Sequence, residues 1–193
     1  MSPLIPAPLN SLRVSKYQIP AYQNFPNTSL RPFPFMIYHS VFPSSTSSVS
    51  ASSIEAHLRK VGIVEPAWRY TMYTQHHYHS TVDEVLVVYS GAARLCFGGG
   101  PANPDKVEVD ASVGDVMIVP AGVGHGLLED KGGFGMVGSY PKGSGNWDMC
   151  TGQKGEKENQ WEIIKNLEWL KGDPIYGDEG PVVNVGETTE EGH

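Results

Sequence analysis

The segment HHYHSTVDE, residues 76–84, is rich in residue types that bind a hard or borderline metal cation. His77 and His79 stand two residues apart, so on an extended strand their imidazoles project from the same face. Glu84 follows His79 by an odd number of residues and would face the other way on an unbroken strand. Ser80, Thr81 and Asp83 are turn formers, and a bend through them returns Glu84 beside the histidines at the start of EVLVVYSG. In that run Glu84, Leu86 and Val88 then face inward. A fourth donor, His125, is delivered by GDVMIVPAGVGH, where Pro120, Gly122 and Gly124 turn the chain before the histidine re-enters. Three imidazoles and one carboxylate, with no thiolate, suit one divalent metal ion and leave two octahedral positions for water, substrate or dioxygen. Fe(II) or Mn(II) are the expected ions, and Zn(II), Ni(II) and Cu(II) suit the same donors. An HxH pair alone is most often a surface coincidence; its combination with Glu84 and His125 makes it a candidate site.

Other residues are placed around this ion by parity. Tyr73 and Gln75 share the face of His77 and His79 on the run RYTMYTQHHYH, which makes them candidates for orienting a bound carbonyl or hydroxyl. Their plainer role is to fill the barrel and satisfy each other's polar groups. Glu129 is a candidate acid or base near the ion, or else a solvated turn carboxylate. His76 and Tyr78 have the opposite parity and are expected to face outward. Cys96 and Cys150 have no base beside them in sequence and are expected to pack as small hydrophobes.

The elements that must position these groups are short strands. EVLVVYSG, ARLCFGG, KVEVDAS and DVMIVPAG follow RYTMYTQHHYH, each bounded by Gly, Pro, Asp or Asn, as in a sandwich or barrel. Upstream, LRPFPFMIYHSVF reads as a strand that its two prolines place at an edge, and an apolar edge of this kind favours a homodimer. A short helix over IEAHLRKVG, capped by Ser52 or Ser53 and ended by Gly62, follows a serine-rich linker. A second helix is expected over NQWEIIKNLEWL, with Ile163, Ile164, Leu167 and Leu170 on one stripe. The 193 residues then divide into an N-terminal arm, 1–30, extended or partly disordered; a single domain, 31–181; and a disordered acidic tail, 182–193.

The formal charge of −7 and the absence of a basic run argue against nucleic acid as a partner. No stretch approaches the roughly 20 apolar residues needed to span a bilayer, and the N-terminus lacks the apolar core of a secretion signal. Two cysteines outside any CxxC pair agree with a reducing, cytoplasmic setting.

The chain resembles the cupin superfamily. His77, His79, Glu84 and Gly91 match its first motif in every spacing, and Gly114, Pro120, Gly122 and His125 match its second. Thr71 stands where the first motif often opens with Gly, and Glu129 where the second often ends in Asn; both departures touch turn chemistry and leave the four donors intact. WRY, VGSYPKG and DPIYG extend the resemblance to a branch of small single-domain, YjlB-like cupins, over roughly residues 35–181. It implies an all-β fold, the cupin double-stranded β-helix or jelly-roll barrel with short flanking helices, and a metal in the barrel mouth. The function expected on this basis is that of a metalloenzyme, dioxygenase or isomerase in type, acting on a small organic metabolite. The alternative is a cupin that binds or senses a small molecule without turning it over.

Overall fold

The runs FMIY, VLVV and VMIV are apolar at every position rather than at alternate ones, the pattern of strands covered on both faces. The computed structural model, which describes residues 3–43, 45 and 48–185, shows what covers them. Strands β1 (Arg13–Tyr17) and β2 (Phe35–His39) precede helix α1 (Ala51–Val61). Then come β3 (Val64–Tyr70), β4 (Glu84–Ser90), β5 (Ala92–Phe97), β6 (Val107–Ser112), β7 (Val116–Val119), β8 (His125–Asp130), β9 (Gly135–Pro141) and helix α2 (Glu156–Lys165). The strands form two antiparallel sheets. One has six strands in the order β1-β2-β7-β4-β9-β3, and the other has three, β6-β5-β8. This is the jelly-roll architecture expected from the motifs.

Between the sheets lies a core of Phe35, Ile37, Leu86, Val88, Leu95, Phe97, Met117 and Met136. The alternate residues of the same strands, Met36, Tyr38, Val85, Val87, Val116 and Ile118, point the other way. They pack under Ile54 and Leu58 of α1 and under Leu170, Ile175 and Val182 from the C-terminal segment. Glu84 belongs to the inner set, with Leu86 and Val88, as strand parity requires.

Several local expectations change. The arm at 1–30 is built into the sheet: β1 pairs with β2 from Arg13↔His39 to Tyr17↔Phe35, and Ile19, Phe25, Asn27 and Thr28 are buried. β2 is therefore bonded on both sides, to β1 and β7, so the bare edge that suggested a homodimer is covered by this chain's own β1. Helix α1 is capped by Ser50, with Ser53 at the third helical position. The Ser50 hydroxyl accepts the Ser53 N–H at 3.1 Å, and the Ser53 hydroxyl accepts the Ser50 N–H at 2.9 Å. Helix α2 ends at Lys165, earlier than expected; Ile164 is buried, Ile163 lies 43% exposed, and Leu170 packs from the loop beyond. Of the acidic tail expected at 182–193, Val182 is a buried core residue, and 186–193 lie outside the described residues, as do positions 44, 46 and 47 of the serine-rich linker.

The reciprocal cap gives a first test. Ser50→Ala is expected to cost about 1 kcal/mol in a urea titration with no change in slope, whereas Ser52→Ala, outside the cap pair, is expected to lie within about 0.5 kcal/mol of wild type.

Candidate metal centre

After Tyr70 the chain leaves β3, and residues 71–79 do not continue as a strand. Two isolated bridges anchor them, together with single bonds from the Leu127 N–H to the Tyr73 carbonyl and from the Gly122 N–H to the His79 carbonyl. His77 exchanges backbone hydrogen bonds with His125 at 2.9 and 3.1 Å, and Tyr78 exchanges a pair with Cys150 at 2.8 Å each. These bridges keep the local alternation: His77 and His79 face the barrel interior, while Tyr78 is buried on the other side against Phe25 and Ile164. The bend required between His79 and Glu84 is present. Its pivot is Asp83, fully buried, which receives Arg31 and the Ala121 N–H, the latter at 2.8 Å. The Pro120–Gly122 turn is pinned by that bond and by Gly122 N–H to the His79 carbonyl at 2.9 Å. Gly122 sits at φ +96°, and a Cβ there would lie 2.9 Å from the Asn27 carbonyl, so a side chain at this position would displace the turn that delivers His125.

The three imidazoles are oriented in the same way. Nδ1 of His77 contacts the Gln75 carbonyl at 3.0 Å, Nδ1 of His125 the Val123 carbonyl at 2.9 Å, and Nδ1 of His79 the Asp148 carbonyl. A carbonyl only accepts, so each Nδ1 carries a proton and each Nε2 is turned inward, a lone pair wherever the ring is neutral. One nitrogen from each of the three buried rings lies within 4.8 Å of the others, a group able to hold a metal ion. The Oε2 atom of Glu84 stands 3.4 Å from Nε2 of His79 and 3.3 Å from Nε2 of His125, yet it is buried and makes no hydrogen bond. Its other oxygen, Oε1, accepts from the Tyr140 hydroxyl at 3.2 Å, and Tyr140 in turn accepts from the Trp68 indole N–H at 2.9 Å.

Electrostatics follow from this crowding. Burial, aided by the neighbouring His125 ring, lowers His77 to about 3, so it is neutral at ordinary pH. Burial also opposes charge on His79, but the Glu84 carboxylate beside it outweighs that and raises its pKa. Burial alone would push Glu84 up; the His79 charge and the two imidazole contacts hold it well below the usual carboxylate range. Burial, then Glu84, pushes the Tyr140 phenol up, so it remains a donor.

Above the four groups opens a cavity of about 270 Å³, walled by Trp68, Met72, Leu86, Met136, Tyr140, Trp147 and Met149. Tyr73 stands at its rim, with its ring 5.9 Å from that of His77 and half its surface exposed. Gln75 does not reach the cavity. Its side chain is exposed, because the strand that would have aimed it inward does not form, and only its carbonyl takes part. Glu129 is likewise outside, exposed on β8 opposite Arg94. His76 is half-buried rather than outward, its ring laid against Gly126. Both cysteines are buried. Cys150 is pushed up to about 12 by burial and by Asp148, and burial raises Cys96 too, so neither is a thiolate.

Trp68 and Tyr140, which lie in the segments WRY and VGSYPKG, complete the site together with Trp147 and Asp148, although the sequence assigns none of the four a role there. Asp148 positions the loop that carries Trp147: its carboxylate accepts the Ser80 N–H at 2.7 Å and the Ser80 hydroxyl, and its carbonyl holds His79. The available signal was a lone Trp in the Gly-rich, polar stretch KGSGNWD.

No protein-family model matches the chain. The protein "Uncharacterized protein YjlB" of Bacillus subtilis (strain 168) is 36% identical over 121 residues, covering 62% of this chain and 69% of its own length. The chain belongs to the YjlB family. Among solved structures, this YjlB-family chain is similar to vicilin from hazelnut, Corylus avellana (TM-score 0.35, 15% identity, 52% of this chain and 34% of that one). It is also similar to vicilin from Capsicum annuum (TM-score 0.35, 20% identity, 60% and 30%) and to procruciferin, an 11S globulin of Brassica napus (TM-score 0.35, 16% identity, 85% and 43%). The chain thus spans less than half the length of these three proteins. No helix among the described residues is long and apolar enough to cross a membrane.

Proposed function

We propose that this protein is a metalloenzyme in which His77, His79, His125 and Glu84 hold one divalent ion, Fe(II) or Mn(II), and that it oxygenates a small organic metabolite. The supporting observation is the unbonded, buried Glu84 Oε2, facing two Nε2 atoms at 3.3 and 3.4 Å. With every Nδ1 protonated, neutral rings point these lone pairs at the carboxylate in a water-poor site, an arrangement that repels unless a cation, the His79 proton or a metal ion, lies among them. Two donors each about 2.1 Å from an ion and at right angles lie about 3 Å apart, close to the spacing found. When bound, such an ion supplies Lewis acidity and, if redox-active, the one-electron steps that let dioxygen react with an organic molecule.

The chain's own residues favour oxygenation over isomerisation. Isomerisation by proton transfer needs a free acid or base beside the substrate. Gln75 and Glu129 lie elsewhere, Glu84 faces the imidazoles, and Tyr140 spends its proton on Glu84 Oε1. What the walls supply is orientation and the exclusion of water.

Anaerobic addition of a panel of organic acids, keto compounds and aromatic metabolites to the Fe(II)-loaded protein is expected to perturb its spectrum for at least one member, followed by oxygen uptake once air is admitted. A spectral change without oxygen uptake or a new product would instead favour a binding protein. Silence across the panel would count against both.

Tyr140 bears on the same site. Because its hydroxyl occupies Oε1, Glu84 is left with Oε2 alone for the ion, so Tyr140→Phe is expected to weaken Mn(II) binding by about 10- to 100-fold in equilibrium dialysis. The substitution also removes the acceptor of the Trp68 indole N–H, a loss of about 1 kcal/mol that leaves the fold in place.

A further inference from the structure

Nine large apolar residues of the described chain keep more than a third of their surface in water, and four of them, Tyr70, Tyr73, Trp147 and Met149, ring the one opening above the histidines. A concentration of exposed apolar surface around a concave site marks something that binds there. Trp147 is not a loose side chain. Its ring stacks on Tyr140 at 6.1 Å and 25° and meets His79 edge-on at 5.6 Å, and its neighbour Asp148 is clamped to Ser80. The indole is thus fixed before any ligand arrives, with 44% of its surface uncovered.

Charge narrows the ligand further. Arg69 is the one cationic side chain on the wall, and its guanidinium is engaged by both carboxylate oxygens of Glu55, at 2.6 and 2.9 Å, and by Ser52 at 3.2 Å. With Nε and Nη2 so engaged and its charge paired, Nη1 alone remains to offer a carboxylate or phosphate. The floor holds three imidazoles and the single negative charge of Glu84, so with a divalent ion in place the net charge is +1, which a singly ionised ligand neutralises in this apolar surround. A cavity of about 270 Å³ holds roughly a dozen non-hydrogen atoms.

We infer that the ligand is a planar aromatic compound of one or two rings with an ionisable oxygen, seated against Trp147 and Tyr140, and that Trp147 is the residue that selects it over aliphatic polyanions. This rests on the metal reading above. The test uses protein loaded with Co(II), its metal content measured first, and titrated with 4-nitrocatechol, malonate or inorganic phosphate while the visible bands are followed. Nitrocatechol is expected to bind the wild type at least tenfold more tightly than malonate or phosphate. Trp147→Ala should weaken it roughly tenfold with cobalt content unchanged, and Trp147→Phe should restore most of that loss. Equal binding of all three probes, or an unaltered nitrocatechol affinity in a fully loaded Trp147→Ala, would overturn the aromatic assignment and leave the metal site standing. Failure of the wild type to take up cobalt would sink both. Sedimentation velocity covers the remaining occupant: a dimer that Trp147→Ala dissociates would mean that a second copy covers the rim, and the inference would fall.

Discussion

Glu84→Gln is expected to abolish metal binding and, at a pH above the raised His79 value, to leave the metal-free protein as stable as wild type or more so. Wild type reconstituted anaerobically with Fe(II) or Mn(II) should retain about one equivalent by elemental analysis, and Glu84→Gln or His79→Ala less than about a tenth of that. The stability half follows from geometry. A Gln amide oxygen at the Oε1 position still accepts from Tyr140, while its NH₂ at the Oε2 position donates toward the lone pairs of His79 and His125 that Oε2 only faced. A buried charge is thereby exchanged for a neutral, hydrogen-bonded group. Melting curves with and without chelator separate the two effects: chelator should lower the wild-type midpoint and leave that of Glu84→Gln where it was.

The same pair sets a pH dependence. In the metal-free protein His79 is raised by Glu84, so its contribution to stability is complete below the ordinary histidine value of about 6.5 and fades as pH rises through the raised one. Glu84 is depressed, so its share is present above the ordinary carboxylate range and lost only in strong acid. Metal uptake must expel the His79 proton. Affinity should therefore climb with pH, by about tenfold per unit, until His79 is neutral, and then level off.

The largest loss of stability is expected at Asp83. Asp83→Ala should cost about 3–5 kcal/mol and lower the melting temperature by on the order of 10 °C, because it strands the nearly buried Arg31 guanidinium and frees the Ala121 N–H. Arg31 also reaches the Leu167 carbonyl at 3.2 Å, so this one carboxylate joins the approach to β2, the bend before β4, the turn before β8 and the segment after α2. Replacing both partners, as in Arg31→Met with Asp83→Leu, is expected to recover most of the loss, since no buried charge is left unpaired. Chemical denaturation of the single and double variants measures both values. A single-variant loss below 1 kcal/mol would mean that the pair is far more hydrated than its burial implies.

Legibility in the sequence depended on how local the cause was. The two-residue spacing of His77 and His79, the bend before Glu84 and the proline–glycine turn before His125 are properties of a few adjacent residues; the structure gathers the three imidazoles into one group and brings Glu84 to 3.4 and 3.3 Å from His79 and His125. β4, β5, β6 and β7 likewise stand close to where their apolar runs put them. Gln75 failed because strand parity was carried through residues 71–76, where hydrogen bonds to a distant partner decide the backbone and no neighbour supplies them. Asp148, Tyr140 and Trp68 act on residues far off in sequence, at Ser80, Glu84 and Tyr140, and no spacing rule connects them. The N-terminal arm was read from composition as an appendage, yet its β-branched and aromatic residues are what complete the sheet.

The strand order has a consequence for synthesis of the protein. β4, at the middle of the larger sheet, is flanked by β7 and β9, both encoded after it, while β2 waits for β7. As the chain leaves the ribosome, at roughly 5–20 residues per second, only the β1–β2 pair and then the β5–β6 hairpin have their partners at hand, and Glu84 is exposed to solvent for several seconds. The pocket around His77, His79, Glu84 and His125 cannot close until β9, which ends at Pro141, has emerged, so any ion taken there would be selected by a finished barrel and not by a nascent one.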